Sequence, residues 1–152
     1  MEEIVKTFDE LTRQELYAVM KLRNSVFVVE QACPYQDLDG WDECAFHIYL
    51  QDSNGIRAYL RLLPAGTVSS EPVIGRVIAV DRRQGLGSRV LTVGIRTARE
   101  RLRAGSIRVE AQTYAVPFYE RSGFFPVSEE FDLDGIPHVE MRLVFPHEPC
   151  VG

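Results

Sequence analysis

Apolar residues recur along the chain at two spacings, near 3.6 and near 2 residues, and the switches between them mark its elements. Glu3 to Phe8 reads as an edge strand. Thr12-Arg13-Gln14-Glu15 then has the spacing of a capping box, which predicts a helix start. Leu16, Val19, Met20, Val26 and Phe27 follow at helical spacing as a buried face. Arg23 falls on that face, where an unpaired charge is costly, so it is expected to meet a carboxylate or the carbonyls at the helix end. From Glu30 to Asp42 the periodicity is lost amid Pro34, Gly40 and three aspartates, which predicts a loop with room for a short helix.

Strand-like runs cover Ala45 to Leu50, Ile56 to Leu63 and Val73 to Val80, the first two joined by the hairpin chemistry of Asp52-Ser53-Asn54-Gly55. Leu86 to Ala104 predicts a long helix with Val90, Leu91, Gly94, Ile95, Ala98 and Leu102 inward. Ile107 to Gln112 is a further strand. Val116 to Arg121 is a short helix that tolerates Pro117 in its first turn and stops at Ser122-Gly123. Phe124 to Phe131 and Ile136 to Phe145 form a hairpin around Asp132-Leu133-Asp134-Gly135. This order packs naturally as a mixed sheet covered by a few helices.

At 152 residues, 45% hydrophobic, the chain is expected to form one domain over 1–152. It has no run of roughly 18 apolar residues, so no membrane span is expected. Cys33, Cys44 and Cys150 are odd in number and lack C-x-x-C spacing, which points to a reducing, cytoplasmic setting rather than a disulfide framework. The formal net charge of −5 supplies no reason to expect nucleic acid or an anionic membrane as partner. One segment stands against that balance: Arg82 to Arg103 carries seven arginines and a single acid, Glu100. It suits a local anion or a solvated helix face; DNA binding through it is the weaker alternative in an acidic chain.

The most informative stretch runs from the strand Val77-Ile78-Ala79-Val80 through Asp81-Arg82-Arg83-Gln84-Gly85-Leu86-Gly87-Ser88 into the long helix. Glycines there permit a tight turn and close approach of a ligand, and the first helical N–H groups are free to bind phosphate oxygens. A dinucleotide fingerprint would need a third glycine where Val90 stands, and a P-loop would need lysine after a glycine. What remains is R-x-x-G-x-G, built by Arg82, Gly85 and Gly87.

With that motif the chain resembles the GNAT superfamily of N-acetyltransferases. The second block, Val109-Glu110-Ala111-Gln112 followed by Ala115-Val116-Pro117-Phe118-Tyr119-Glu120-Arg121-Ser122-Gly123-Phe124, is similar to that superfamily's fifth strand and fourth helix. Leu22-Arg23, Val26 to Gln31, Cys33-Pro34-Tyr35, Asp39-Gly40, His47, Ile74-Gly75-Arg76-Val77 and Asp134-Gly135-Ile136-Pro137-His138 extend the resemblance to its ElaA-like subfamily. The connection from Ala79 to Arg82 is shorter than the family pattern. The resemblance implies a mixed, largely antiparallel twisted sheet of about seven strands flanked by about four helices, an α/β (α+β) fold.

It also implies an enzyme in which an amine attacks the thioester of acetyl-CoA directly in a ternary complex. Val77, Ile78 and Ala79 are then expected to present a main-chain N–H to the thioester oxygen and an edge to which pantetheine can pair, unless they are ordinary ladder residues. Gln84, Gly85, Leu86, Gly87 and Ser88 would grip the diphosphate, flanked by Arg82 and Arg83. Tyr119 is the candidate acid for the leaving thiolate, or else an aromatic packing the short helix. Glu30, His47, Glu110 and His138 are possible bases, and a partly neutral amine needs none. The loop Asp37 to Asp42, with Asp39, could line the acceptor side and favour a cationic amine. No metal is expected: a calcium loop opened by Asp37 would close on Ile48, and Cys33, Cys44 and His47 lack a fourth zinc ligand. The acceptor, a small molecule or a protein, is open, and a homodimer is possible. The alternative is a non-catalytic module that senses acyl-CoA.

Overall fold

The structure is a computed structural model describing residues 1–146, so Cys150 lies outside the described residues. The strands are β1 (Glu2–Thr7), β2 (Phe46–Asp52), β3 (Gly55–Leu63), β4 (Val73–Ala79), β5 (Ser106–Gln112), β6 (Phe125–Pro126), β7 (Phe131–Leu133) and β8 (Ile136–Val144). They form one sheet in the order β1-β2-β3-β4-β5-β8-β6, with β7 also on β8. Every pairing is antiparallel except β4 with β5. Three α-helices, α1 (Arg13–Arg23), α2 (Leu86–Arg101) and α3 (Val116–Glu120), accompany it. The mixed α/β class is as expected; the described residues hold eight strands and three α-helices rather than about seven and four.

The extra strand arises where Phe124 to Phe131 was expected to run unbroken beside β8. The Val127 N–H donates to the Glu140 carbonyl at 2.8 Å, but the Glu140 N–H turns to the Ser128 hydroxyl at 2.9 Å. A side chain thereby replaces a ladder partner, and the outer strand splits into β6 and β7. At the other end of the chain α1 does not stop at Arg23 but widens into a π-helical stretch, Asn24–Glu30. Val19 is fully buried there with Tyr49, Tyr59 and Ile78, and Met20, Leu22, Val26 and Phe27 pack against them.

The capping box forms as predicted, with the Glu15 N–H donating to Thr12 Oγ1 at 3.1 Å and the Thr12 N–H to Glu15 Oε1 at 2.8 Å. Glu15 also accepts from Lys6 Nζ at 2.7 Å and from the Tyr49 hydroxyl at 2.6 Å. The Lys6 bond first, then Tyr49 and the cap, hold its carboxyl down to about 2. One carboxylate thus joins α1 to β1 and β2.

α2 lies across the sheet with Val90, Leu91, Val93 and Ala98 buried against Leu60, Leu62, Ile74 and Ile107. The contact is closest at Gly94, where a Cβ would sit 2.7 Å from Leu60 Cδ2. The helix ends three residues earlier than Ala104, because Arg103 turns left-handed (φ 50°) and the Ala104 N–H folds back to the Ala98 carbonyl at 3.1 Å.

Two irregularities in β4 prepare the site. The parallel pairing with β5 lasts only for Val73 opposite Arg108 and Ile74 opposite Val109, after which the strands part. Against β3, Gly75 faces Arg61 and Ile78 faces Tyr59, so Arg76 and Val77 together oppose Leu60. That is a β-bulge, and Arg76 sits in it at φ 55°.

Candidate active site

A cavity of about 1150 Å³ fills the gap where β4 and β5 separate. On its β4 wall the Val80 N–H donates to the Arg57 carbonyl of β3 at 2.9 Å. Strand alternation then turns the main-chain groups of Ala79 and Val77 away from β3, into a gap β5 no longer fills. Val77, Ile78 and Ala79 all line the cavity.

Directly beyond, Asp81 Oδ1 accepts from the Arg83 N–H at 3.0 Å and opens a 3-10 turn over Arg82–Gln84. Gly85 follows at φ 68°, a left-handed geometry suited to glycine, and α2 begins with no side-chain cap. By helix geometry the N–H groups of Leu86, Gly87 and Ser88 have no acceptor within the helix. At Gly87 a Cβ would stand 3.3 Å from the Phe118 ring and 3.6 Å from Ala79 Cβ, so strand, helix start and α3 converge on a residue without a side chain. Arg82, Gly85, Gly87 and Ser88 line the cavity, and Arg82 lies over the Tyr114 ring at 6.0 Å. Arg83, Gln84 and Leu86 do not line it. Arg83 is 92% exposed and pairs with Asp81, while Leu86 enters the main core because the first turn of α2 buries that face.

Tyr119 stands across the gap on α3, 8% exposed, edge-on to Phe118 and Phe124 with ring centroids 5.0 and 5.7 Å away. Its hydroxyl has no hydrogen-bond partner among the described residues. Burial, then the nearby Tyr114, pushes the phenol well above its ordinary range. It stays protonated and can donate.

The opposite end of the cavity is lined by Glu30, Asp39, Glu110 and His138, but not by His47. His47 is fully buried; its Nε2 donates to the Asp42 carbonyl at 2.9 Å and its Nδ1 accepts from the Tyr59 hydroxyl at 2.8 Å. Burial lowers its pKa, and with both nitrogens occupied it is a structural residue rather than a candidate base. His138 differs. Its Nδ1 lies 2.7 Å from the Ile136 carbonyl, its ring stacks on Phe131 at 6.1 Å, and its Nε2 has no partner among the described residues.

The aspartates of the loop are not free to attract a cation. Arg23, fully buried, pairs with Asp37 through Nε at 3.1 Å and with Asp42 through Nη1 at 2.5 Å. This meets the expectation for a charge on the buried helix face. Arg61 grips Asp39 with both terminal nitrogens at 2.8 and 2.9 Å and also reaches Asp42 at 3.2 Å. Arg76 takes the other oxygen of Asp37 at 2.7 Å. Three aspartates are thus matched by three arginines. Burial acts to raise the Asp39 carboxyl, but the Arg61 bonds, the Trp41 N–H and Arg76 outweigh it and hold it at about 2.

Arg76 was named only within the Ile74-Gly75-Arg76-Val77 block and Arg61 not at all, and the role of neither was predicted. A second unpredicted cluster seals the root of the gap, where Glu71 binds Arg108 and Arg142, each at 2.8 Å, together with the Ser106 hydroxyl. Burial opposes ionisation of Glu71, yet Ser106 and the two arginines hold it at about 2. With Arg61, Arg76 and Arg108 all paired, the charges left in the cavity without an ion pair among the described residues are Arg82 and Arg121 toward α2 and α3, and Glu30, Glu110 and Asp134. The residue pattern therefore polarises the cavity, with positive charge joined to the helix start and negative charge about the loop and β5. Cys33 also lines it, its thiol 3.5 Å from the Asp134 carbonyl, while Cys44 is exposed. Among the described residues no three His, Cys, Asp or Glu side chains gather to hold a metal ion.

Residues 68–145 match the sequence profile of an acetyltransferase (GNAT) domain. The chain is 38% identical over 136 residues to protein ElaA of Escherichia coli, covering 87% of this chain and 89% of that one. It is 37% identical over 147 residues to a UPF0039 protein of Schizosaccharomyces pombe, covering 94% and 97%. An acyl-CoA N-acyltransferase from Pseudomonas aeruginosa has the same fold with a TM-score of 0.88 at 36% identity, over 95% of this chain and 100% of that one. The crystal structure of Escherichia coli ElaA gives 0.87 at 35%, over 93% and 98%.

Proposed function

Because the chain belongs to the GNAT acetyltransferase family and is an acyl-CoA-dependent acyltransferase, we propose that it transfers the acetyl group of acetyl-CoA to a cationic amine by direct attack in a ternary complex. The observation that carries this reading is the alignment of three features on one cavity: main-chain groups of Val77 and Ala79 left unpaired by β5, the uncapped start of α2, and the unpaired Tyr119 phenol opposite them. The amides of Gly87 and Ser88, with Arg82, bind the diphosphate. The edge of Val77 and Ala79 pairs with the pantetheine amides and offers an N–H to the thioester oxygen as negative charge develops there. Tyr119 gives its proton to the departing sulfur. The burial that raises the phenol also raises the basicity of a thiolate formed beside it, so the two stay matched.

For the amine's proton, His138 is favoured over Glu30 and Glu110. A carbonyl can only accept, so the bond to Ile136 places the proton of the neutral ring on Nδ1 and leaves the Nε2 lone pair free. Glu30, Glu110 and Asp134, which lack ion-pair partners, then hold the acceptor's positive charge, a role the paired loop aspartates cannot fill. Among the described residues no helix is long and apolar enough to cross a membrane. A cytoplasmic setting, where Cys33 and Cys44 stay reduced, completes the reading.

The test is calorimetric titration of the protein with CoA, followed by thiol release from acetyl-CoA across a panel of mono-, di- and polyamines. Binding with turnover, and preference for amines bearing a second positive charge, is expected. Tight binding without turnover on any amine would instead favour an acyl-CoA sensor, and absence of CoA binding would refute both.

A further inference from the structure

We propose that Arg76 is a positioning residue: it holds the β4 bulge in the register that turns the Val77 and Ala79 amides into the cavity, by tying the bulge to the loop on the acceptor side. The proposal rests on the reading of that cavity as the CoA site. Its starting point is a cost. A left-handed backbone at a long side chain is unfavourable by roughly 1–2 kcal/mol, and glycine would adopt it freely. Arg76 adopts it at φ 55°, so its side chain must offset the strain.

The contacts that do so all come from one loop. Arg76 Nε donates to Asp37 Oδ1 at 2.7 Å, and Nη2 donates to the Asp37 carbonyl at 3.1 Å and to Asp39 Oδ2 at 3.4 Å. Its guanidinium lies over the Tyr35 ring at 5.5 Å, and the Tyr35 hydroxyl donates to the same Asp37 oxygen at 2.9 Å. Asp37 in turn is gripped by the buried Arg23 at the end of α1. The bulge is therefore fastened to a fixed point of the core, not to a mobile surface chain.

The consequence follows from strand alternation. The bulge contributes one extra residue to β4 relative to β3. Without it the pairing would slip by one, and the main-chain groups of Val77 and Ala79 would turn toward β3 instead of the gap. Tyr35 and Asp39 also line the cavity, so a single guanidinium joins the acceptor-side loop to the cofactor-side strand.

The experiment compares wild type with Arg76→Gly and Arg76→Lys, using CoA as the calorimetric probe, amide hydrogen exchange across β4, and thermal unfolding. Arg76→Gly loses the anchor but also the backbone strain, so its unfolding midpoint is expected to shift by only a few degrees. CoA affinity is expected to fall about tenfold, with faster exchange at Val77 and Ala79, and Arg76→Lys to lie between. If Arg76→Gly fails to fold, Tyr35→Leu carries the test, because it removes the ring under the guanidinium while both partners of the Asp37–Arg23 pair stay in place; the same direction of change is expected. Unchanged CoA affinity and unchanged exchange in the variant that folds would overturn the proposal. Should wild type itself not bind CoA, the parent reading fails, and the exchange data alone still decide whether Arg76 holds the bulge.

Discussion

Replacing Tyr119 by phenylalanine removes one oxygen, and the surroundings of that oxygen set two opposite expectations. The hydroxyl makes no hydrogen bond among the described residues, while the ring keeps its edge contacts with Phe118 and Phe124 in the variant. Stability should therefore change by no more than about 1 kcal/mol, with a small gain if the hydroxyl is poorly solvated, a shift of roughly 2–4 °C in a chain of this size. Catalysis should not be spared. A positioned acid contributes about 10²- to 10⁴-fold, or roughly 3–5 kcal/mol of barrier. Turnover of acetyl-CoA with the best amine of the panel, followed as thiol release at saturating cofactor, should fall by that factor while CoA affinity holds. Since burial keeps the phenol above its ordinary range, no alkaline loss of activity from Tyr119 is expected below about pH 10. A Tyr119→Phe enzyme as fast as wild type would refute the assignment. Loss of folding and of CoA binding together would show instead that the residue only packs.

His138→Asn can keep a donor toward Ile136 but offers no ring nitrogen for the amine's proton; turnover should drop by about 10²-fold with CoA affinity unchanged, and wild-type rates would exclude His138 as the base. Gly94→Ala should destabilise by about 1–3 kcal/mol despite alanine's better helix propensity, because the new methyl meets the fully buried Leu60; a higher unfolding midpoint would contradict the packing. Glu15, Asp39 and Glu71 are held at about 2, below their unfolded values of 4.5, 3.8 and 4.5. Lowered carboxyl pKa values stabilise the fold fully above the unfolded values, and the contribution is lost as pH falls through the folded ones. Denaturant titrations should thus find stability declining chiefly between about pH 5 and 2. A flat profile down to pH 2 would mean these ion pairs contribute nothing.

Much of the fold around the start of α2 was legible because its signals are local. The Thr12–Glu15 capping box, the inward stripe Val90, Leu91, Gly94 and Ala98, and the turn through Gly85 each depend on residues within a few positions of one another. Backbone geometry converts such spacings directly into structure. Tyr119 was singled out through its sequence context, and it lines the cavity. Pairing across the chain is another matter. The loop aspartates looked like an acceptor site because Arg23, Arg61 and Arg76, their partners, lie up to 39 positions away. His47 and His138 look equivalent as letters, yet one spends both nitrogens inside the core and the other keeps one toward the cavity.

By itself, then, the amino-acid order determined the elements, their buried faces and the glycine turn into α2, all set by steric and hydrogen-bonding rules that act over a turn or two of chain. Only the tertiary structure decided which charges are neutralised, which histidine retains a free lone pair, where β4 bulges against β3, and where it parts from β5. Those outcomes depend on desolvation and on contacts between distant segments, and electrostatic energy is set by distance in space rather than separation along the chain.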